Sequence, residues 1–95
     1  MAFSYSDKNF TVIGNLCFVH IFVSDANAQY EIPPAIADRM LVKNIGCLYY
    51  SYGKSVETGN FGLVFISDAK IRFKVIYDDY NNGYVNFSFP IDSNK

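Results

Sequence analysis

Apolar and polar residues alternate with a period of two along much of this chain. The stretch Lys70 to Tyr77 is the cleanest case, with Ile71, Phe73, Val75 and Tyr77 on one side and Lys70, Arg72 and Lys74 on the other; Ile76 is the exception. That pattern predicts a strand with one dry and one wet face. The preceding stretch behaves differently. Leu63 and Phe65 point one way, Val64 and Ile66 the other, and all four are apolar. A polar turn at Ser67-Asp68-Ala69 joins the two stretches as a hairpin.

The same double dryness appears from Leu16 to Ser24. Leu16, Phe18, His20 and Phe22 share one face, and Cys17, Val19, Ile21 and Val23 share the other. A short strand, Phe10 to Ile13, precedes it across a Gly14-Asn15 turn. Tyr30-Glu31-Ile32 reads as extended and is stopped by Pro33-Pro34, which cannot donate to a ladder. Ala35 to Arg39 has room for one helical turn. Met40 to Tyr52 reads as a long strand or a pair, with Gly46 suggesting a bulge or bend. A loop follows from Gly53 to Asn60, and Asp78 to Gly83 has turn chemistry. Tyr84 to Ile91 closes the chain, with Val85, Phe87, Phe89 and Ile91 inward and Tyr84, Asn86 and Ser88 outward.

Short strands at near-regular spacing imply an all-β fold, an antiparallel β-sandwich or a barrel. A monomeric sandwich gives each strand one face in the core and one in water. Strands dry on both faces need cover, and this chain has no helices to spare. A second copy of the protein is the remaining cover. Phe18, His20 and Phe22, or else Val64 and Ile66, are therefore the expected interface.

Composition narrows the field. Nine Phe and eight Tyr without Trp suit strands. At 95 residues the chain is one domain, taken as an arm at 1–8 and a body at 9–95. A net charge of −1 disfavours a nucleic-acid partner held by phosphate contacts. No run approaches the roughly 18 apolar residues of a membrane span, and the N-terminus lacks a signal-peptide pattern. A soluble protein made in a cytoplasm, not inserted into a membrane, is expected. Cys17 and Cys47 lack metal-site spacing and read as buried free thiols.

Enzyme chemistry has little to stand on. His20 is the single histidine, so one chain cannot supply a Ser-His-Asp or multi-His zinc set. Asp78-Asp79 is a carboxylate pair, but in a turn beside Asn81-Asn82-Gly83. Gly53-Lys54-Ser55 lacks the upstream glycine and following helix of a phosphate loop. No metal and no cofactor is expected.

Four segments carry a resemblance. Phe10 to Val19 looks like the Gly-Asn strand pair in C-terminal head domains of bacteriophage tail-fibre and baseplate proteins. Ile32-Pro33-Pro34-Ala35-Ile36-Ala37-Asp38-Arg39 resembles that family's Leu-Pro segment, with Ile32 in place of Leu and Pro34 as an extra proline. Gly62 to Ile71 is similar to its late hairpin, and Tyr84 to Phe89 to its final strand. The match spans most of residues 9 to 91 in order. It implies a jelly-roll-like antiparallel β-sandwich that forms a homotrimer at the virion tail tip and contacts a host-surface saccharide. Aromatic rings beside Asp and Asn suit such a ligand: rings cover sugar faces and the polar groups bond hydroxyls. Tyr80, Asp79 and Asn81 are the first candidates, Tyr50 and Tyr52 the second. The alternative is a structural trimerisation domain of a tail, or a small phage protein that binds a host protein, with no sugar involved.

Overall fold

The computed structural model describes residues 3–24, 27–74 and 83–95. Its strands are β1 (Phe10–Ile13), β2 (Leu16–Val23), β3 (Tyr30–Glu31), β4 (Ile45–Tyr52), β5 (Asn60–Ser67), β6 (Lys70–Lys74) and β7 (Gly83–Pro90). They pair antiparallel throughout, in one curled sheet of order β1-β2-β7-β4-β5-β6-β3. The all-β, antiparallel, single-domain expectation holds. All seven strands belong to one sheet, and the core lies against one of its faces.

That inner face collects the alternate residues of five strands. Cys17, Val19, Ile21 and Val23 of β2 are buried beside Val85, Phe87 and Phe89 of β7. The register sets Cys17 opposite Phe89, Val19 opposite Phe87 and Ile21 opposite Val85. Tyr49, Val64, Ile66 and Ile71 extend the same layer across β4, β5 and β6. Phe73 is half-buried and meets Tyr49 edge to face at 5.6 Å.

Residues 32–40 form a strap over this layer, burying Ile32, Ile36 and Met40. Its middle is α1 (Pro34–Ala37), the expected single turn, with proline in its first turn where no N–H partner is needed. One end is held by the Ile32 N–H donating to Ala69 C=O at 2.9 Å. The other is held by a Met40–Ile91 bridge and by the Asp92 N–H donating to Arg39 C=O at 2.7 Å. Arg39 also lays its guanidinium over the Phe3 ring at 3.8 Å. The N-terminal residues are thereby drawn onto the body, where Phe3 and Tyr5 pack against the core.

Turn chemistry follows the sequence in two places. Gly14 has φ of 60°, and Asp68 and Ala69 have 53° and 59°. Two successive positive φ values give the tight hairpin twist that suits flanking strands. Elsewhere the structure differs. Gly46 makes no bulge, because pairing runs unbroken from Ile45↔Ile66 to Ser51↔Asn60. The long strand expected from Met40 begins only at Ile45. Lys70 and Arg72 are half-buried rather than exposed, since Arg72 Nη1 folds back to donate to Ser67 Oγ at 2.8 Å. Val75 and the turn at 78–82 lie outside the described residues.

Gly62 is the glycine the packing demands. It stands opposite Tyr49, whose ring lies where a Cβ would go. Gly62→Ala is expected to cost about 1–3 kcal/mol through overpacking. Phe89→Ala should cost about 3–5 kcal/mol, the range for emptying a core aromatic. Urea unfolding of both variants against the parent checks these values, and a loss below 1 kcal/mol at Phe89 would contradict the assigned core.

Candidate interaction face

The outer face of the sheet is where this chain is unusual. Strand alternation turns Leu16, Phe18, His20 and Phe22 of β2 away from the core, with Tyr84, Asn86, Ser88 and Pro90 of β7 beside them. Gly46, Leu48, Tyr50 and Tyr52 of β4 follow, and then Phe61, Leu63 and Phe65 of β5. Large apolar groups stand in solvent: Phe18 is 42% exposed, Phe22 53%, Leu48 67% and Phe61 59%. Not one of these positions carries a charge.

Cross-strand pairing organises the rings into a row. Phe22 meets Tyr84 edge-on at 5.2 Å, and His20 stacks on Tyr84 at 4.9 Å with the planes 10° apart. Tyr84 lies 5.5 Å from Tyr52, Tyr52 6.3 Å from Tyr50, and Tyr50 5.2 Å from Phe61. The row crosses four strands. Each such pair adds directional stabilisation beyond simple area burial. His20 and Tyr84 meet face to face, and the other neighbours in the row are tilted or edge-on.

Beside the row, β4 and β7 separate. Their pairing covers only Tyr50↔Asn86 to Tyr52↔Tyr84, although both strands continue. An open cleft of ≈ 550 Å³ lies over the split, lined in part by Phe18, His20, Leu48, Asn86 and Ser88. The Pro90 C=O accepts from Leu41 and the Ile91 N–H turns to Asn15 on the β2 side. Alternation therefore aims the backbone N–H and C=O of Ser88 toward the split. His20 Nδ1 and Asn86 Oδ1 are 2.6 Å apart at its rim.

The expected site residues fall into four groups. Phe18, His20 and Phe22 stand together on the outer face. Val64 and Ile66 do not: at 0% and 1% exposure they belong to the chain's own core, and the outward residues of their strand are Phe61, Leu63 and Phe65. As interface positions they are corrected, because no second copy can reach them. Tyr50 and Tyr52 are half-buried in the ring row. The Tyr50 hydroxyl donates to Val56 C=O and accepts from the Gly59 N–H, so both its roles are taken by the 53–59 loop. Tyr80, Asp79 and Asn81 lie outside the described residues.

The sequence reading missed Leu48 and Phe61 as members of the face. Phe61 shares its parity with Leu63 and Phe65, which was a usable signal; Leu48 depended on which strands flank β4. Among the described residues no group of three His, Cys, Asp or Glu could hold a metal ion, and no helix is long and apolar enough to cross a membrane. Compared with known proteins, the chain matches no family model, no curated protein and no solved structure.

Cys17 and Cys47 are both free thiols, on strands kept apart by β7. Burial, with a smaller contribution from Asp7, pushes the Cys17 thiol up to about 12, and burial also raises Cys47. Both groups stay protonated at pH 8, and the thiol form is the unreactive one. A thiol-exchange reagent at pH 8 should leave Cys17 untouched and modify Cys47 slowly in the native protein, with both reacting at once in denaturant. Rapid native labelling of Cys17 would contradict its place in the core.

Proposed function

We propose that this chain is a non-enzymatic assembly domain that joins copies of itself through the outer face of its sheet. The observation carrying this reading is the uncharged aromatic row across β2, β7, β4 and β5. Four strands about 4.8 Å apart and eight residues long at about 3.3 Å each define roughly 500 Å² of plane before side-chain relief is added. Contiguous apolar patches beyond a few hundred Å² mark association surfaces, and a standard interface takes about 800 Å² from each partner. A face without charge is also compatible with its own copy, since like charges never meet when it is placed against itself.

The ring geometry favours this assembly reading over sugar stacking on the same face. A pyranose needs a free aromatic flank, whereas Tyr84 already carries the His20 ring on one face, and Tyr52 and Tyr50 stand tilted against neighbouring rings. The trimeric number, the tail-tip setting and a host-surface saccharide come from the resemblance to phage head domains. In that reading the saccharide belongs to Tyr80, Asp79 and Asn81. Tyr80→Ala should then abolish glycan-array binding while leaving the oligomer mass unchanged, and undiminished binding would remove Tyr80 from the site.

Light scattering tests the assembly itself. The parent should run at a multiple of 10.8 kDa at micromolar concentration. The double variant Phe22→Lys/Phe61→Lys should run at the single-chain mass and remain folded, losing about 1–3 kcal/mol of stability with the Phe22–Tyr84 and Tyr50–Phe61 ring pairs. A parent that is already monomeric would overturn the reading.

A further inference from the structure

We propose that His20 makes this self-association sensitive to pH: copies join with the imidazole neutral and separate as it takes up a proton. The inference rests on the assembly reading and concerns the regulation of the same face.

His20 occupies the middle of the outer side of β2, between Phe18 and Phe22 and opposite Asn86 of β7. Histidine is the side chain suited to changing charge between pH 5 and 8. No other histidine exists in the chain. The Asn86 carbonyl oxygen can only accept, so its contact at 2.6 Å places the ring hydrogen on Nδ1. That leaves Nε2 as the atom that gains the proton. The bond to Asn86 persists on protonation and, being charge-assisted then, favours the imidazolium, but it does so alike in a separate copy and in an assembled one.

Among the described residues, the surroundings of His20 offer an imidazolium no anion. On the β7 side stand Tyr84, stacked on the ring, and Asn86. In the cleft toward β4 the lining is Phe18, Val19, Cys47, Leu48, Asn86, Phe87 and Ser88, where burial keeps the Cys47 thiol protonated and neutral. A second cleft on its other side reaches Lys8 and Asn9 before β1 and Tyr30 of β3. Lys8 is the one charged residue lining either cleft among the described residues, and it has the same sign as the imidazolium. Among the described residues, neither cleft has a carboxylate in its lining.

In a separate copy the His20 ring is exposed, so water can solvate its charge. Against a second uncharged face that water is removed and nothing replaces it, which disfavours the charged form. The separate copy therefore binds more protons than the assembled one. By linkage, association weakens as pH falls. Tyr84 is a partial counterweight, since a stacked ring attracts a cation, but an aromatic face offsets less than the hydration lost.

Sedimentation of the full chain from pH 8 to pH 5 tests the inference. The apparent dissociation constant of the parent should rise at least about tenfold over that range, with net proton uptake on dissociation. The constant for His20→Gln, whatever its value at pH 8, should stay flat. If that variant fails to assemble, proton uptake by the parent, read calorimetrically in buffers of different ionisation enthalpy, decides alone. A parent constant that does not move with pH, or a His20→Gln constant that moves equally, overturns the inference and leaves the assembly reading standing. A parent that is monomeric at pH 8 overturns both.

Discussion

Strand β7 holds the molecule together. Two locally formed units, the β1–β2 hairpin and the β4–β5–β6 meander, have no direct pairing with each other. β7 enters between them and pairs with β2 along all eight residues of both strands. On its other edge it pairs with β4 through Tyr50, Ser51 and Tyr52. The inner face of the sheet becomes continuous only when Val85, Phe87 and Phe89 fill the middle of that layer. The same insertion brings Tyr84 between Phe22 and Tyr52 and so completes the outer ring row. Core and candidate interface thus depend on one strand, whose partners are distant in sequence. Such non-local pairing is slow to form because the closure entropy precedes the contacts that offset it.

The two faces of the sheet are apolar for different reasons. The inner one is covered from within: the strap at 32–40 brings Ile32, Ile36 and Met40 over it and is fastened at both ends. Among the described residues there is no second strap for the outer face. Its rings reduce their own exposure by packing against each other, which lowers the cost of leaving them in water without removing it. Charge is kept to the margins, at Lys8, Lys70 and Arg72. Folding requires only the first face to be covered, and the second is available for association.

Much of this was legible in the sequence because strand periodicity is local. Alternation assigned Cys17, Val19, Ile21 and Val23 to one side and Phe18, His20 and Phe22 to the other, and separated Val85, Phe87 and Phe89 from Tyr84, Asn86 and Ser88. It also revealed that β2 and β5 have two dry faces. It could not say which dry face of β5 turns inward, since Val64 and Ile66 are as apolar as Leu63 and Phe65. That choice is made by a neighbour: the ring of Tyr49 lies over Gly62, which puts the Gly62 parity, and with it Val64 and Ile66, on the inner side. The strand order and the ring row were equally hidden, being properties of pairs far apart in the chain. Gly46 misled because a glycine in a strand often marks a bulge, whereas here it only leaves space beside Phe65.

The split between β4 and β7 connects stability to association. Three paired positions join the two halves of the sheet there, against eight between β2 and β7 and seven between β4 and β5. This is the narrowest joint among the central strands, and the outer-face cleft opens directly above it. Below the joint, the Leu41 N–H reaches Pro90 C=O at 3.5 Å, a longer bond than most in the fold. Phe18 and Leu48 stand on opposite sides of the opening. In the proposed assembly a second copy resting on both residues spans the joint and resists its widening. Binding to the folded state alone adds to stability by mass action. Here the contribution falls on the joint that the chain's own hydrogen bonds brace least, so association and the integrity of the sheet are coupled through one place in the fold.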